Sequence, residues 1–158
     1  MKKFILSAAF MSLSILMLAG CGDSSNKKST AKTSEPELSA WEKENGFGPV
    51  KEKVVLGAID KKMAAKGEKI FESKCASCHK LDERYVGPAQ RNVLERVTPE
   101  FFMNMVLNPD ENIDKHPHAK QMLAVYLQRM TNQNVNLQDA RELLEYFRVL
   151  DEGLKAKK

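Results

Sequence analysis

The segment Cys75-Ala76-Ser77-Cys78-His79 constrains this chain more than any other. Two thiols three positions apart, with an imidazole directly after the second, match the Cys-x-x-Cys-His spacing of covalent haem attachment. The spacing has a physical reason. Such thiols reach the two vinyl-derived carbons on one haem edge, and the adjoining histidine then projects beneath the iron. Neutral imidazole suits iron, and a ligand fixed beside two covalent tethers cannot drift away. Three other chemistries use similar residues. A thioredoxin-like dithiol needs a βαβ context, which this sequence lacks. A structural zinc site needs about four ligands, and only His116 and His118 remain as strong additional donors. A disulfide across the short loop is the third.

The surroundings of the motif read as helices. Asp60 is placed to cap a helix in which Ala64, Gly67, Ile70, Phe71 and Lys74 fall at three- and four-residue steps. Gly67 inside a helix costs up to ~1 kcal/mol against Ala, which points to close contact with another helix. Thr98-Pro99 opens a second helix carrying Phe101, Phe102, Met105 and Val106, which stops before Pro109. A third runs from His118 or Ala119 to about Gln128. The last is capped by Asn136 with Asp139 at its third position, continues through Leu143, Leu144, Phe147 and Leu150, and is closed by Gly153. No run alternates well enough for a strand, so the class is all-α. At 7% aromatic residues, a large self-sufficient aromatic core is not expected, and a bound apolar cofactor would supply part of it.

The N-terminal stretch has a different character. Residues 1–20 read as an export signal: Lys2 and Lys3 are followed by the mostly apolar Phe4 to Leu18, which is short for a membrane span. Leu18-Ala19-Gly20-Cys21 resembles the lipobox of bacterial lipoproteins, in which the cysteine is lipidated and becomes the first residue. Residues 21–40 are the lipidated cysteine and a polar tether. Residues 41–59 hold Trp41, Phe47 and several valines among Gly46, Gly48 and Pro49, an irregular packing segment. Residues 60–153 form the domain and 154–158 a basic tail. Losing Lys2 and Lys3 leaves 23 of the 25 Lys and Arg against 21 Asp and Glu. That balance gives no argument for nucleic acid as a partner.

From about Asp60 to Leu150 the chain resembles a class I cytochrome c domain. The resemblance rests on the helix ending in Cys75, Cys78 and His79, on Val86-Gly87-Pro88, on the middle helices, and on a last helix with Leu143, Tyr146 and Phe147. It implies a cytochrome c-like fold of short helices around one covalently bound haem c. It also implies that the first and last helices cross, with Gly67, Phe71 and Tyr146 at the crossing. The Pro88 carbonyl would accept a hydrogen bond from the second ring nitrogen of His79 and so orient the ligand.

The second axial ligand decides between an electron carrier and a ligand-binding haem. Met103, Met105 and Met122 lie in apolar helical stretches, where core packing is the ordinary role. Met130 follows a helix, precedes the polar run Thr131-Asn132-Gln133-Asn134, and lies six residues before Asn136. The family places its axial methionine in such a loop, so Met130 is the expected ligand and Met122 the runner-up. Arg129 departs from the proline or small residue often found there. His116 and His118 flank Pro117 beside charged residues, where solvent exposure is expected.

The expected function is single-electron transfer by a lipid-anchored carrier on the periplasmic side of a bacterial membrane. Lys74, Lys80 and Arg84 offer a face for acidic partners. Phe102-Met103-Asn104-Met105 through Asn108-Pro109 resembles cytochromes that accompany respiratory terminal reductases. Nitrous oxide reductase and cytochrome oxidase are therefore the candidate acceptors. Gly22 after Cys21 favours an outer-membrane destination in a Gram-negative host. The rival readings are a five-coordinate haem gas sensor or peroxidase and a structural relay subunit of a respiratory complex.

Overall fold

The structure, a computed structural model, describes residues 37–155. The export signal, Cys21, most of the tether and the last residues of the basic tail lie outside the described residues. The described residues fold into seven α-helices and contain no strand. No helix among them is long and apolar enough to cross a membrane.

Helix α1 (Ala40–Asn45) was not expected from a segment rich in helix breakers. It forms because Ser39 and Glu42 make a reciprocal capping box: the Ser39 hydroxyl accepts from the Glu42 N–H at 3.2 Å, and the Ser39 N–H donates to the Glu42 carboxylate at 2.9 Å. The breakers act only after Asn45. Helix α2 (Lys61–Ile70) starts at Asp60, whose carboxylate accepts from the Lys62 and Met63 N–H groups at 2.8 and 3.0 Å. It passes into one π turn, Phe71–Cys75, in which the Ala76 N–H reaches back to the Phe71 carbonyl at 2.8 Å. Helix α3 (Val93–Arg96) is a single turn. Helix α4 (Pro99–Leu107) begins at Thr98, whose hydroxyl accepts from the Phe101 N–H at 3.0 Å. Pro109, which ends α4, also opens α5 (Pro109–Lys115), because a proline lacks only an N–H that a first-turn residue does not use. Helix α6 (Pro117–Tyr126) ends on Leu127 in the left-handed region, φ 56°. Helix α7 (Leu137–Lys155) carries the predicted cap: the Asn136 side chain accepts from the Asp139 N–H at 2.9 Å, and the Asp139 carboxylate accepts from the Asn136 N–H at 3.1 Å. It does not stop at Gly153. That glycine keeps out of the left-handed region and has open space around it, so nothing turns the chain there.

The core lies where α2 and α4 pack on α7. Leu143, Leu144 and Phe147 are almost fully buried. The Phe147 ring meets Phe71 edge-on at 5.6 Å and Phe102 at 5.3 Å, and Phe71 also meets Tyr146 at 5.8 Å. Such aromatic pairs add about 0.5–1.5 kcal/mol beyond area burial. Gly67 faces the Glu142 backbone so closely that a Cβ there would collide with the Glu142 carbonyl. Gly67, Phe71 and Tyr146 therefore meet at the crossing that the resemblance implied.

Residues 46–57 form a strap bound mainly by side chains. Asn104, fully buried, donates to the Asn45 and Val50 carbonyls at 2.9 Å each and accepts from the Val50 N–H at 3.0 Å. Asn112, also fully buried, makes the same kind of pair with the Phe47 N–H and carbonyl at 2.8 and 2.6 Å. Buried Glu145 draws Arg141 and Arg148 onto itself, and these arginines reach the Val55 and Gly57 carbonyls. His116 is buried rather than solvent-exposed as its charged neighbours implied. Its ring stacks near Phe101 at 4.7 Å, and its Nε2 lies 3.1 Å from the Lys43 carbonyl. Helix α1, through the Lys43 carbonyl, and the Phe101 ring cover it.

The tight approach at Gly67 predicts that Gly67→Ala pushes α2 and α7 apart. The loss should be about 1–3 kcal/mol, in the range of other overpacked cores, read as a lower urea midpoint of the holoprotein. An unchanged midpoint would show that the crossing has slack.

Candidate functional site

The helix crossing sends the chain directly into the motif. Cys75 ends the π turn, and a short turn places His79 next: the Cys78 and His79 N–H groups both donate to the Cys75 carbonyl, at 3.0 and 2.9 Å. Cys75, Cys78 and His79 line one wall of a cavity of about 710 Å³. That size lies within the ~300–1,000 Å³ typical of cofactor and ligand sites. Residues of α4, α6 and the loop between α6 and α7 line the cavity as well, and Phe102, Leu143 and Phe147 also border the space.

The two thiols are free of each other. Burial pushes the Cys75 thiol up to about 11. A redox dithiol needs a readily formed thiolate, so this environment argues against the oxidoreductase reading.

His79 is fixed by the segment that follows it. Its Nδ1 lies 3.0 Å from the Pro88 carbonyl. The Gly87 N–H donates to the Cys78 carbonyl at 2.9 Å, which folds residues 79–87 back on the motif. A Cβ on Gly87 would strike the His79 ring. Burial holds the imidazole below the usual histidine range, with the Pro88 carbonyl pulling weakly the other way. A neutral ring donating through Nδ1 presents Nε2 as a lone pair, the form a metal ligand requires.

Three methionines line the cavity: Met105 from α4, Met122 from α6 and Met130 from the loop. Met103 is buried in the core and does not line it. His118 lines the cavity from an exposed position, whereas His116 does not reach it.

The Met130 loop is tied on several sides. The Lys74 ammonium donates to the Gln133 carbonyl at 3.1 Å. Arg129, the departure from the family pattern, pairs with Asp114 at 2.9 Å and Asp110 at 3.7 Å on α5. Arg84 donates to the Val125 carbonyl at 2.8 Å and lies 4.5 Å from the centre of the Tyr126 ring. Lys80 donates to the Ala76 carbonyl at 3.0 Å. The cations beside the motif thus bind carbonyls of their own chain as well as facing solvent. Sequence reasoning missed Gln90, whose amide reaches the Pro88 carbonyl, and Arg96, whose guanidinium holds the Ala89 and Arg91 carbonyls at 2.7 and 2.8 Å. Neither follows from motif spacing, because each acts on a backbone whose path is known only once folded.

The space fits a haem on the evidence of its own residues: two thiols, an oriented imidazole and three thioethers line it, with aromatic and aliphatic side chains around. The comparisons agree. The Cytochrome c family model matches residues 64–151. A search of curated proteins finds no match. Among solved structures, cytochrome c from Rhodothermus marinus is similar with a TM-score of 0.65 and 42% identity, covering 67% of this chain and 91% of that chain. An engineered cytochrome c from the same organism gives 0.64 and 41%, covering 66% and 91%. The cytochrome c domain of the pp3183 protein from Pseudomonas putida shares the fold, with a TM-score of 0.52, 23% identity, and coverage of 57% and 92%. With a domain-length match and relatives spanned over nine-tenths of their length, this chain belongs to the cytochrome c family, and its cofactor is covalently attached haem c.

Proposed function

We propose that this protein is a membrane-tethered monohaem carrier of single electrons between respiratory partners outside the cytoplasm. Cys75 and Cys78 would form the thioether bridges, and His79 and Met130 would hold the iron. The observation that carries the reading is that His79 and Met130 line one cavity, with the Met130 loop braced through Lys74 to Gln133 and Arg129 to Asp114. The haem supplies the one-electron iron couple. His79 would hold the iron through Nε2 while Pro88 orients the ring, and the Met130 thioether would be the second protein ligand. Two protein ligands leave no open position for a substrate, and a methionine ligand raises the reduction potential. An acylated Cys21 would hold the domain at the membrane, each buried CH₂ contributing ~0.8 kcal/mol. Tethering raises its effective concentration near membrane-bound partners. Nitrous oxide reductase and cytochrome oxidase are the acceptors to compare, by stopped-flow oxidation of the reduced protein.

Met130→Ala should abolish the long-wavelength methionine–iron band, lower the potential and admit carbon monoxide promptly to the reduced protein. Met105→Ala and Met122→Ala should keep the band. Loss of the band in Met122→Ala alone would transfer the ligand to α6, and prompt carbon monoxide binding by the unaltered protein would favour a five-coordinate sensor or peroxidase.

Cys21→Ser, expressed as the full chain, should move the cytochrome from the membrane to the soluble periplasmic fraction with an unchanged haem spectrum. Equal partition of the two forms would remove the lipid anchor from the proposal.

A further inference from the structure

Gln90 stands two residues beyond Pro88, half-buried on the cavity wall. Its position is fixed independently of its side chain. Its N–H donates to the Lys80 carbonyl at 2.9 Å, the Arg91 N–H to the Leu81 carbonyl at 2.8 Å, and Arg96 grips the carbonyls on either side. The side-chain nitrogen lies 2.9 Å from the Pro88 carbonyl oxygen and 2.8 Å from His79 Nδ1.

This triangle has one consistent arrangement when His79 serves iron through Nε2. Nδ1 then carries a proton and donates to the Pro88 carbonyl. The Gln90 atom beside that carbonyl must be the donor nitrogen, since two oxygens at that distance would repel. The Gln90 amide cannot donate to a protonated Nδ1. It donates instead to the second lone pair of the Pro88 carbonyl, and both donors share one acceptor.

We infer that Gln90 is a positioning residue that raises the reduction potential by competing with His79 for the Pro88 carbonyl. A carbonyl already accepting from an amide is a weaker acceptor for Nδ1–H. The imidazole then gains less anionic character and donates less to iron, and the ferric state loses stabilisation relative to the ferrous. The positive end of the amide dipole beside the ring acts in the same direction.

The inference rests on His79 being an axial ligand, and its sign makes it testable. Replacing a polar side chain by an apolar one near a haem ordinarily disfavours the charged ferric form and raises the potential. Removing Gln90 as a competing donor should lower it. Midpoint potentials of the holoprotein should fall in both Gln90→Leu and Gln90→Met, displacing the ferric–ferrous equilibrium about three- to tenfold toward ferric, with tenfold equal to ~59 mV for one electron. In the reduced protein the His79 Nδ1 proton resonance should move downfield as its bond to Pro88 strengthens. A potential that is unchanged or raised in the variants overturns the inference. Failure of the underlying ligation is seen separately: the oxidised, unaltered protein would then show no paramagnetically shifted His79 ring resonances.

Discussion

The backbone contact between Gly67 and Glu142 governs the rest of the domain. Only a residue without Cβ allows α2 and α7 to approach this closely, and the closeness brings Phe71 onto both Tyr146 and Phe147. Because α2 runs into the π turn without a break, the same contact sets where Cys75, Cys78 and His79 emerge. A π turn adds a residue to the helical circuit and is often found at functional sites. Here it begins at the buried Phe71 and ends at Cys75 on the cavity wall, so core and site share one continuous element.

Polar groups rather than a close helix crossing hold the strap to α4 and α5. Asn104 and Asn112 each satisfy donors and acceptors of the strap from a fully buried position. Buried polar groups fully paired in this way specify one arrangement, because any other leaves them unsatisfied at a cost of about 1–3 kcal/mol each. The strap is thereby bound to α4, one of the helices that border the cavity. An apolar pocket offers little directional information of its own; its shape comes from hydrogen bonds made behind it.

The features legible in the sequence are those encoded by local chemistry. The haem motif, the Asp60, Thr98 and Asn136 caps, and the helical periodicity from Ala64 to Phe71 all depend on near neighbours. The crossing at Gly67 was legible only as a cost needing a reason, and the family resemblance provided that reason. What was missed depends on distant partners. Helix α1 survives beside Gly46 because of a Ser39–Glu42 box that composition alone obscures. His116 looks solvent-facing until α1 is laid over it. Gln90 looks ordinary until the Pro88 carbonyl is placed within reach of its amide. Gly153 fails as a stop because a glycine ends a helix only when the chain has cause to turn there.

The cations around the motif carry the last consequence. Lys74, Lys80 and Arg84 read from the sequence as a face for acidic partners, yet each donates to a carbonyl of its own chain. Lys74 and Arg84 span from the haem-motif side of the cavity to the α6 and Met130 side. Surface ion pairs are individually weak, at about 0–1 kcal/mol, so a docked carboxylate would compete on nearly equal terms with these carbonyl bonds. A partner that draws Lys74 away from Gln133 would also release one restraint on the loop carrying Met130. A partner docked on these cations would therefore act on the stiffness of the cavity wall through the same side chains.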